Sequence, residues 1–500
     1  MISERTDGAS IPSIGSLLLD RASSHGEHSY LEDARSDRAI TFGDTATAAA
    51  AFVLAGGLRA GTTVFLRERD PLTFAVAHLG LIASGHRSVP IDPASSAADI
   101  ARLAALIDGE TALVCTDDDL AAQAGVRRID PPVLPVDGGV ARDVDAAPVF
   151  RDGGSAMLFT SGSTGTPKGV ELRADQLAFV GQAVATHLGL TEHDRGYNPL
   201  PLFHINAEVV GLLSTLSAGS ALVLDERFHR TGFWPLMASR RITWINAVPA
   251  ILAVLASEPI RPPEGLRLIR TASAPLPAPV AEAFADIPLV VSYGMTEASS
   301  QITATPVDAP RAGTVGVPVG TEVQVRPASG EAAPGDVGEL WIRGAGVIDS
   351  YFGGAASDRF DADGWLRTGD LGSIDPDGYV TLAGRVDDVI NRGGEKVYPL
   401  EVEEALLTDP AVREVVVVGA PHDVLGSVPV AFVIPVQSAR SGADDEELVE
   451  RLGRLAERLL PKFKRPTTIT VVDDVPRAAT GKVQRVRLRG LVAEAAANGE

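Results

Sequence analysis

Along the first third of the chain, apolar residues recur with two different periods. Over Ile14–Ser24 they fall on one face of a 3.6-residue repeat, and the alanine-rich Thr45–Ala55 and the apolar Leu72–Ser84 extend the same helical texture. Between these lie the short apolar runs Gly61–Leu66, Arg87–Ile91 and Thr111–Cys115, the last giving way to the acidic Thr116–Leu120. Strands and helices alternating at this length predict βαβ units and a mostly parallel sheet. From Pro318 to Tyr351 the pattern changes to short strands broken by Gly and Pro, as in Val323–Pro327, Gly338–Arg343 and, further on, Gly378–Ala383. That texture predicts a separate antiparallel or barrel-like layer. After Arg385 the chain has its own rhythm: helix Glu401–Thr408, strands Ala411–Gly419 and Pro429–Pro435, helix Asp444–Leu460 and strand Thr468–Val472. A small α+β domain is expected there.

Composition narrows the function. The 500 residues are 45% apolar, enough for large cores, and carry a formal charge of −21, which argues against phosphate backbones or anionic membranes as electrostatic partners. Cys115 is the single cysteine, excluding a disulfide framework and multi-cysteine metal sites; it is expected in the core. The first residues lack a basic n-region followed by a long apolar stretch, and no run of about 18 apolar residues occurs, so a soluble cytoplasmic chain is expected. Only five of the 44 basic residues are lysines: Lys168, Lys396, Lys462, Lys464 and Lys482. Where a plain positive charge suffices this sequence uses Arg, so each lysine needs a reason.

The first such reason lies in Phe159–Gly169. After the apolar Ala156–Phe159 come Thr160, Ser161, Gly162, Ser163 and Thr164, and the stretch closes on Lys168. Glycines let backbone N–H groups converge on an anion, hydroxyls add donors, and the lysine supplies a mobile point charge; the pattern fits a polyphosphate cradle. It is not a Walker A loop, which ends in Gly-Lys-Ser/Thr and opens a helix, because Pro167 precedes Lys168 and Gly169 follows it.

Taken with this loop, four more strings in series, Tyr293–Glu297, Gly364–Asp370, Gly384–Asp388 with Gly393–Glu401, and Thr480–Lys482, resemble the adenylate-forming superfamily of acyl-CoA synthetases, adenylation domains and luciferases. Their order and spacing match along nearly the whole chain. The resemblance implies an α/β fold with a large N-terminal domain of stacked α/β sheets plus a small barrel-like β layer, and a small mobile α+β C-terminal domain. The expected division is residues 1–384 for ATP and acid binding, a hinge at 385–388 and a lid at 389–500. It also implies roles. Tyr293 offers a flat face to adenine, with Gly294 and Met295 in the same turn and Ser273, Ala274 and Pro275 walling the base. Thr296 turns a hydroxyl toward the α-phosphate, and Glu297 supplies a hard oxygen for Mg²⁺. Asp370 and Arg385 reach the ribose. Lys482 brings an ammonium between the acid and the α-phosphate, two anions that otherwise repel. Asp387 is the hinge, and Gly393, Gly394 and Glu395 clear a path for the CoA arm in a second pose.

His204 stands where similar synthetases gate the acyl pocket. Helical spacing then aims Asn206 and Val210 along its wall, with Val248 opposite and Ser292, Ser299 and Ser300 near the carboxylate end. Asn206 and Glu208 are polar where many relatives are apolar; either is a specificity contact, or Glu208 faces a neighbouring strand. The stretch is most similar to oxalyl-CoA-synthetase-like and coumarate-CoA-ligase-like branches, but Ser300 and Ser292 stand where diacid enzymes carry cations. A monocarboxylate, polar or aromatic, is therefore the expected acid. The expected activity is ATP- and Mg²⁺-dependent formation of an acyl-adenylate with pyrophosphate release, then transfer to CoA; the alternative acceptors are a carrier protein in trans or a nitrogen nucleophile. A catalytically silent relative is disfavoured by the intact Lys168, Glu297, Asp370, Arg385 and Lys482.

Overall fold

The computed structural model describes residues 12–135, 144–161, 167–257, 259, 261–328, 330, 332–436, 442–477 and 483–498, with the side chains of 161, 167, 442, 443 and 495–498 excepted. The chain forms two compact units. The first comprises Met1–Leu276, Ala283–Val323 and Ile342–Leu366, and the second Pro277–Glu282, Gln324–Trp341 and Arg367–Glu500.

Helix starts in the first unit follow local chemistry. Thr41 and Asp44 form a reciprocal capping box, so the helix expected from Thr45 begins at Phe42 and runs to Gly56, where Gly57 takes a left-handed conformation. Asp70 caps the helix Pro71–Ala83, whose proline occupies the first helical position. These helices flank two sheets. In one the strand order is 127–129, 111–114, 63–66, 87–90, 155–161 and 167–173, parallel throughout except for the last, antiparallel pair. In the other it is 317–318, 303–304, 289–293, 268–271, 244–247, 195–198, 221–224, 29–33 and 39–41, with a parallel centre and antiparallel edges. The mostly parallel α/β architecture read from the periodicity is what forms.

In the second sheet, chain order and spatial order part company at 195–198. From that strand the chain passes to 221–224 on one side and then to 244–247 on the other. At such a reversal the connections leave in opposite directions and open a crevice beyond the carboxyl ends of the strands, the usual place for a ligand in an open α/β sheet. The connection to 221–224 includes an uncommon π-helical segment, Ala207–Leu213, followed directly by the α-helix Ser214–Ala218.

The strands 322–326, 338–343, 366–374 and 380–385, most of whose residues belong to the second unit, lie in that spatial order and form the expected β layer. The remaining residues of the second unit build a sheet from 395–397, 390–392, 426–435 and 412–422, with 468–471 added in parallel, and the helices Pro399–Leu407, Gly442–Leu459 and Arg485–Asn498. The strands expected at Ala411–Gly419 and Pro429–Pro435 are longer than hydrophobicity suggested, because they are the two arms of one hairpin paired from Val412↔Pro435 to His422↔Gly426. Val402, Leu406, Val417, Val433 and Leu452 fill its core.

Candidate active site

Four parallel strands of the first unit carry a polar residue at or next to their carboxyl ends: Asn198, Asn246, Arg270 and Ser292. Strands buried on both faces ordinarily read as unbroken apolar runs. Arg270 interrupts such a run and is 1% exposed. Its Nη1 donates to Asn206 Oδ1 at 2.7 Å and to Asn246 Oδ1 at 3.3 Å, its Nε to Ser292 Oγ at 3.2 Å, and its Nη2 to Gln301 Oε1 at 3.3 Å. Asn246 Nδ2 in turn reaches Asn198 Oδ1 and Asn206 Oδ1, and Asn206 Nδ2 donates to Ser273 Oγ at 3.3 Å. Asn206 and Ser292 thus come together as expected, but around a cation that sequence reasoning did not place. Ser292 and Ser300 carry no charge themselves, but Arg270 stands beside Ser292, a positive group that the expectation of a monocarboxylate did not count. Its only mark in the sequence is an arginine directly after Leu268 and Ile269, which does not say where the side chain goes.

The turn after 289–293 is constrained by its own backbone. A side chain at Gly294 would put Cβ 1.6 Å from the Ser300 carbonyl oxygen, so only glycine fits. Thr296–Ala298 form one 3₁₀ turn after Met295, and Ser299 and Ser300 follow with φ of 49° and 87°. Ser273, on the exposed turn with Ala274 and Pro275, has φ of 80°. Left-handed conformations are unfavourable for non-glycine residues and cluster where surrounding structure holds a site in a fixed shape. Part of that hold is visible: Ser299 Oγ donates to the Gly346 carbonyl at 2.8 Å. Tyr293 is buried at the end of its strand.

Glu297 is also buried and does not stand alone. Tyr351 Oη donates to its Oε1 at 2.7 Å, and Arg359 Nη1 lies 3.3 Å from the same oxygen and donates to the Tyr351 hydroxyl. Burial first, and then the Glu297 charge, raise the Tyr351 hydroxyl pKa above the usual phenol range, keeping it a donor. Lys168 Nζ sits 5.9 Å from the centre of the Tyr351 ring. Tyr351 and Arg359 were not foreseen, since nothing in their local sequence marks them. With Oε1 held by these donors, Glu297 Oε2 has no hydrogen-bond partner among the described residues, and a carboxylate oxygen so presented fits a hard divalent cation such as Mg²⁺. Thr160 and Lys168 are cross-strand partners in the hairpin 155–161/167–173, so Lys168 leads a strand and not a helix. Of the intervening loop, Ser161 is described by its backbone, while Gly162, Ser163 and Thr164 lie outside the described residues, as does Lys482.

In the second unit, Asp370 and Arg385 are cross-strand partners joined by a 3.0 Å ion pair. Gly393 and Gly394, with φ of 59° and 96°, make the two-residue turn between strands 390–392 and 395–397 that ends at Glu395. Arg489 Nη1 donates to the Asp387 carbonyl at 2.7 Å and to Asp388 Oδ1 at 3.1 Å. Arg485, 3.6 Å from Asp388 Oδ2, and Arg489 are therefore partners of the 386–388 turn.

On the acyl side, His204 is half-buried with its ring 4.5 Å from that of Phe203. Val210 is buried in the π segment, and Val248 is half-buried immediately before the helix Pro249–Ala256. Glu208, left open between pocket and core, belongs to the core: its Oε1 lies 2.7 Å from His78 Nε2, both side chains fully buried, and His78 Nδ1 meets Ser88 Oγ at 2.9 Å.

A model of the AMP-binding enzyme family matches residues 19–352, and a model of the AMP-binding enzyme C-terminal domain matches residues 401–482. The chain is 35% identical to sulfoacetate–CoA ligase of Cupriavidus necator over 97% of its own length and 99% of that protein's. It is 34% identical to oxalate–CoA ligase of Arabidopsis thaliana over 88% and 90% of the two chains. The crystal structure of o-succinylbenzoate CoA synthetase from Bacillus subtilis with its acyl-adenylate intermediate superimposes with a TM-score of 0.81 at 29% identity, covering 95% of this chain and 97% of that one. Among the described residues no helix is long and apolar enough to cross a membrane.

Proposed function

Because this chain belongs to the AMP-binding enzymes, we propose a division of labour among its residues for the reaction that defines its relatives. The protein is an AMP-forming acid–thiol ligase: a carboxylate and ATP give an acyl-adenylate and pyrophosphate, and the CoA thiol then takes the acyl group and releases AMP. Thr160 and Lys168, with the loop between them, hold the phosphates; Tyr293 and the Ser273–Pro275 turn flank the base; Asp370 and Arg385 hold the ribose. Glu297 offers Oε2 to Mg²⁺, which when bound neutralises phosphate charge. Lys482 supplies the ammonium for adenylation, and motion about Asp387 exchanges it for the Gly393–Glu395 turn when CoA reacts. His204, Asn206, Val210 and Val248 bound the acyl pocket, and Thr296 faces the α-phosphate.

One observation carries most of this reading. Lys168, Tyr351, Arg359 and Glu297 gather two cations and a buried carboxylate next to the strand that ends in the hydroxyl-rich loop. Electrostatic stabilisation of a transferring nucleotidyl group needs that kind of preorganised array. The test is a panel of carboxylic acids with MgATP, scored for pyrophosphate without CoA and for AMP and thioester with it. The expected result is acid-dependent pyrophosphate release in both conditions and thioester only with CoA. Absence of acid-dependent pyrophosphate across short, aromatic and long-chain acids would refute the reading.

A further inference from the structure

The Arg270 cluster is an unusual piece of core. A guanidinium taken out of water normally has a carboxylate partner, because neutral dipoles replace only part of its lost hydration. Arg270 has four neutral oxygens and, among the described residues, no ion pair. Burial alone pushes it down to about 9, so it is charged at neutral pH and poorly compensated. A second buried group beside it is also unmet: Gln301, 1% exposed, gives its oxygen to Arg270, and its Nε2 has no partner among the described residues. Two donors, one cationic, thus lie side by side in a buried polar cluster that holds no carboxylate among the described residues.

Their location limits what the anion is. The cluster lies at the carboxyl ends of the parallel strands where the strand order reverses. Ser292 and Gln301, which hold the guanidinium, bracket the Tyr293–Ser300 turn assigned above to the nucleotide. Asn206 links the guanidinium to Ser273 on the exposed turn and so stands between the buried cation and the open side. Resting on the ligase reading, we propose that Arg270 is the specificity determinant of the acyl pocket, and that the acid is a short one bearing a second anionic group, carboxylate or sulfonate, which pairs with Arg270 and accepts from Gln301 while the other carboxylate is adenylated. The second anion completes a site that is half built without it.

The test compares matched acids on the intact enzyme by AMP formation with CoA present: malonate against malonamate, succinate against succinamate, and sulfoacetate against methylsulfonylacetate. Each pair differs in the charge at the distal end and little in size. For wild type, kcat/KM for at least one charged acid should exceed that of its neutral partner by about 100-fold or more, and the best pair separates carboxylate from sulfonate. Arg270→Met should collapse that ratio to within about fivefold of unity. Asn206→Asp places a fixed carboxylate next to the guanidinium without opening a cavity; it should collapse the ratio too, and it decides the matter if the methionine variant does not fold. A wild-type ratio near one, or a high ratio that survives Asn206→Asp, overturns the proposal while AMP formation with neutral acids leaves the ligase reading standing. Absence of AMP with every acid overturns the ligase reading and this one with it.

Discussion

At the scale of single residues, the site is built from side chains whose neighbours fix their charge and direction. Tyr351 shows this for the nucleotide end: its hydroxyl reaches Glu297 Oε1 at 2.7 Å and also receives Arg359. Tyr351→Phe removes one donor from a buried carboxylate, a loss of about 1–3 kcal/mol. Pyrophosphate exchange should show kcat/KM for MgATP falling by about 10- to 100-fold; an unchanged value would mean that Arg359 alone orients Glu297. Residues with chemistry written into a local string, such as Lys168, Glu297 and Asp370, were legible in the sequence. Tyr351, Arg359, Gln301 and Arg270 were not, since their roles come from partners tens of residues away: Arg270 meets Asn206 across 64 positions and Arg359 meets Glu297 across 62. Glu208 stayed ambiguous for the same reason, its answer lying in His78.

At the scale of elements, the helices Ile14–Ser24 and Pro71–Ala83 were read to within a residue, whereas Ala97–Ala104, opened by the Ser96–Asp99 capping box, was not read. Ile14–Ser24 forms over the expected residues because Ser13 accepts from Ser16 N–H. The 412–422/426–435 hairpin was read short, because pairing extends strands past their apolar centres. The C-terminal helix Arg485–Asn498 does more than its weak amphipathic pattern suggests. Arg485 pairs with Glu403 at 2.8 Å, and Glu403 is 5% exposed and also accepts from Val417 N–H. Burial raises the Glu403 pKa, and Arg485 opposes that rise. Arg485→Met strands a buried carboxylate and should destabilise the second unit by about 3–5 kcal/mol in a denaturant titration. Adding Glu403→Leu should restore most of that loss; a double variant no better than the single one would locate the effect in the packing of Arg485 instead of its charge.

At the scale of the whole molecule, the chain's economy in lysine singles out Lys168 and Lys482 for the division of labour proposed above. Lys482, carried by the second unit, should matter for one half of the reaction: Lys482→Ala should stall acid plus ATP, while a presynthesised acyl-adenylate plus CoA still yields thioester. Equal loss in both half-reactions, measured by rapid quench, contradicts an ammonium needed for adenylation alone. The π segment Ala207–Leu213 adds a historical dimension. A π turn carries one residue more than the α turn it replaces, and removing a residue from a helix rotates its downstream turns by about 100° relative to its upstream ones. Asn206, facing Arg270, lies just before the segment, and Glu208, locked to His78, lies within it. Deletion of Ala207, the one residue between them, would rotate the asparagine by about 100° relative to the anchored glutamate and so away from the guanidinium. With Arg270 selecting the acid as proposed, a gene of this kind would change the acid it accepts in a single codon deletion, a route that surveys of point substitutions do not sample.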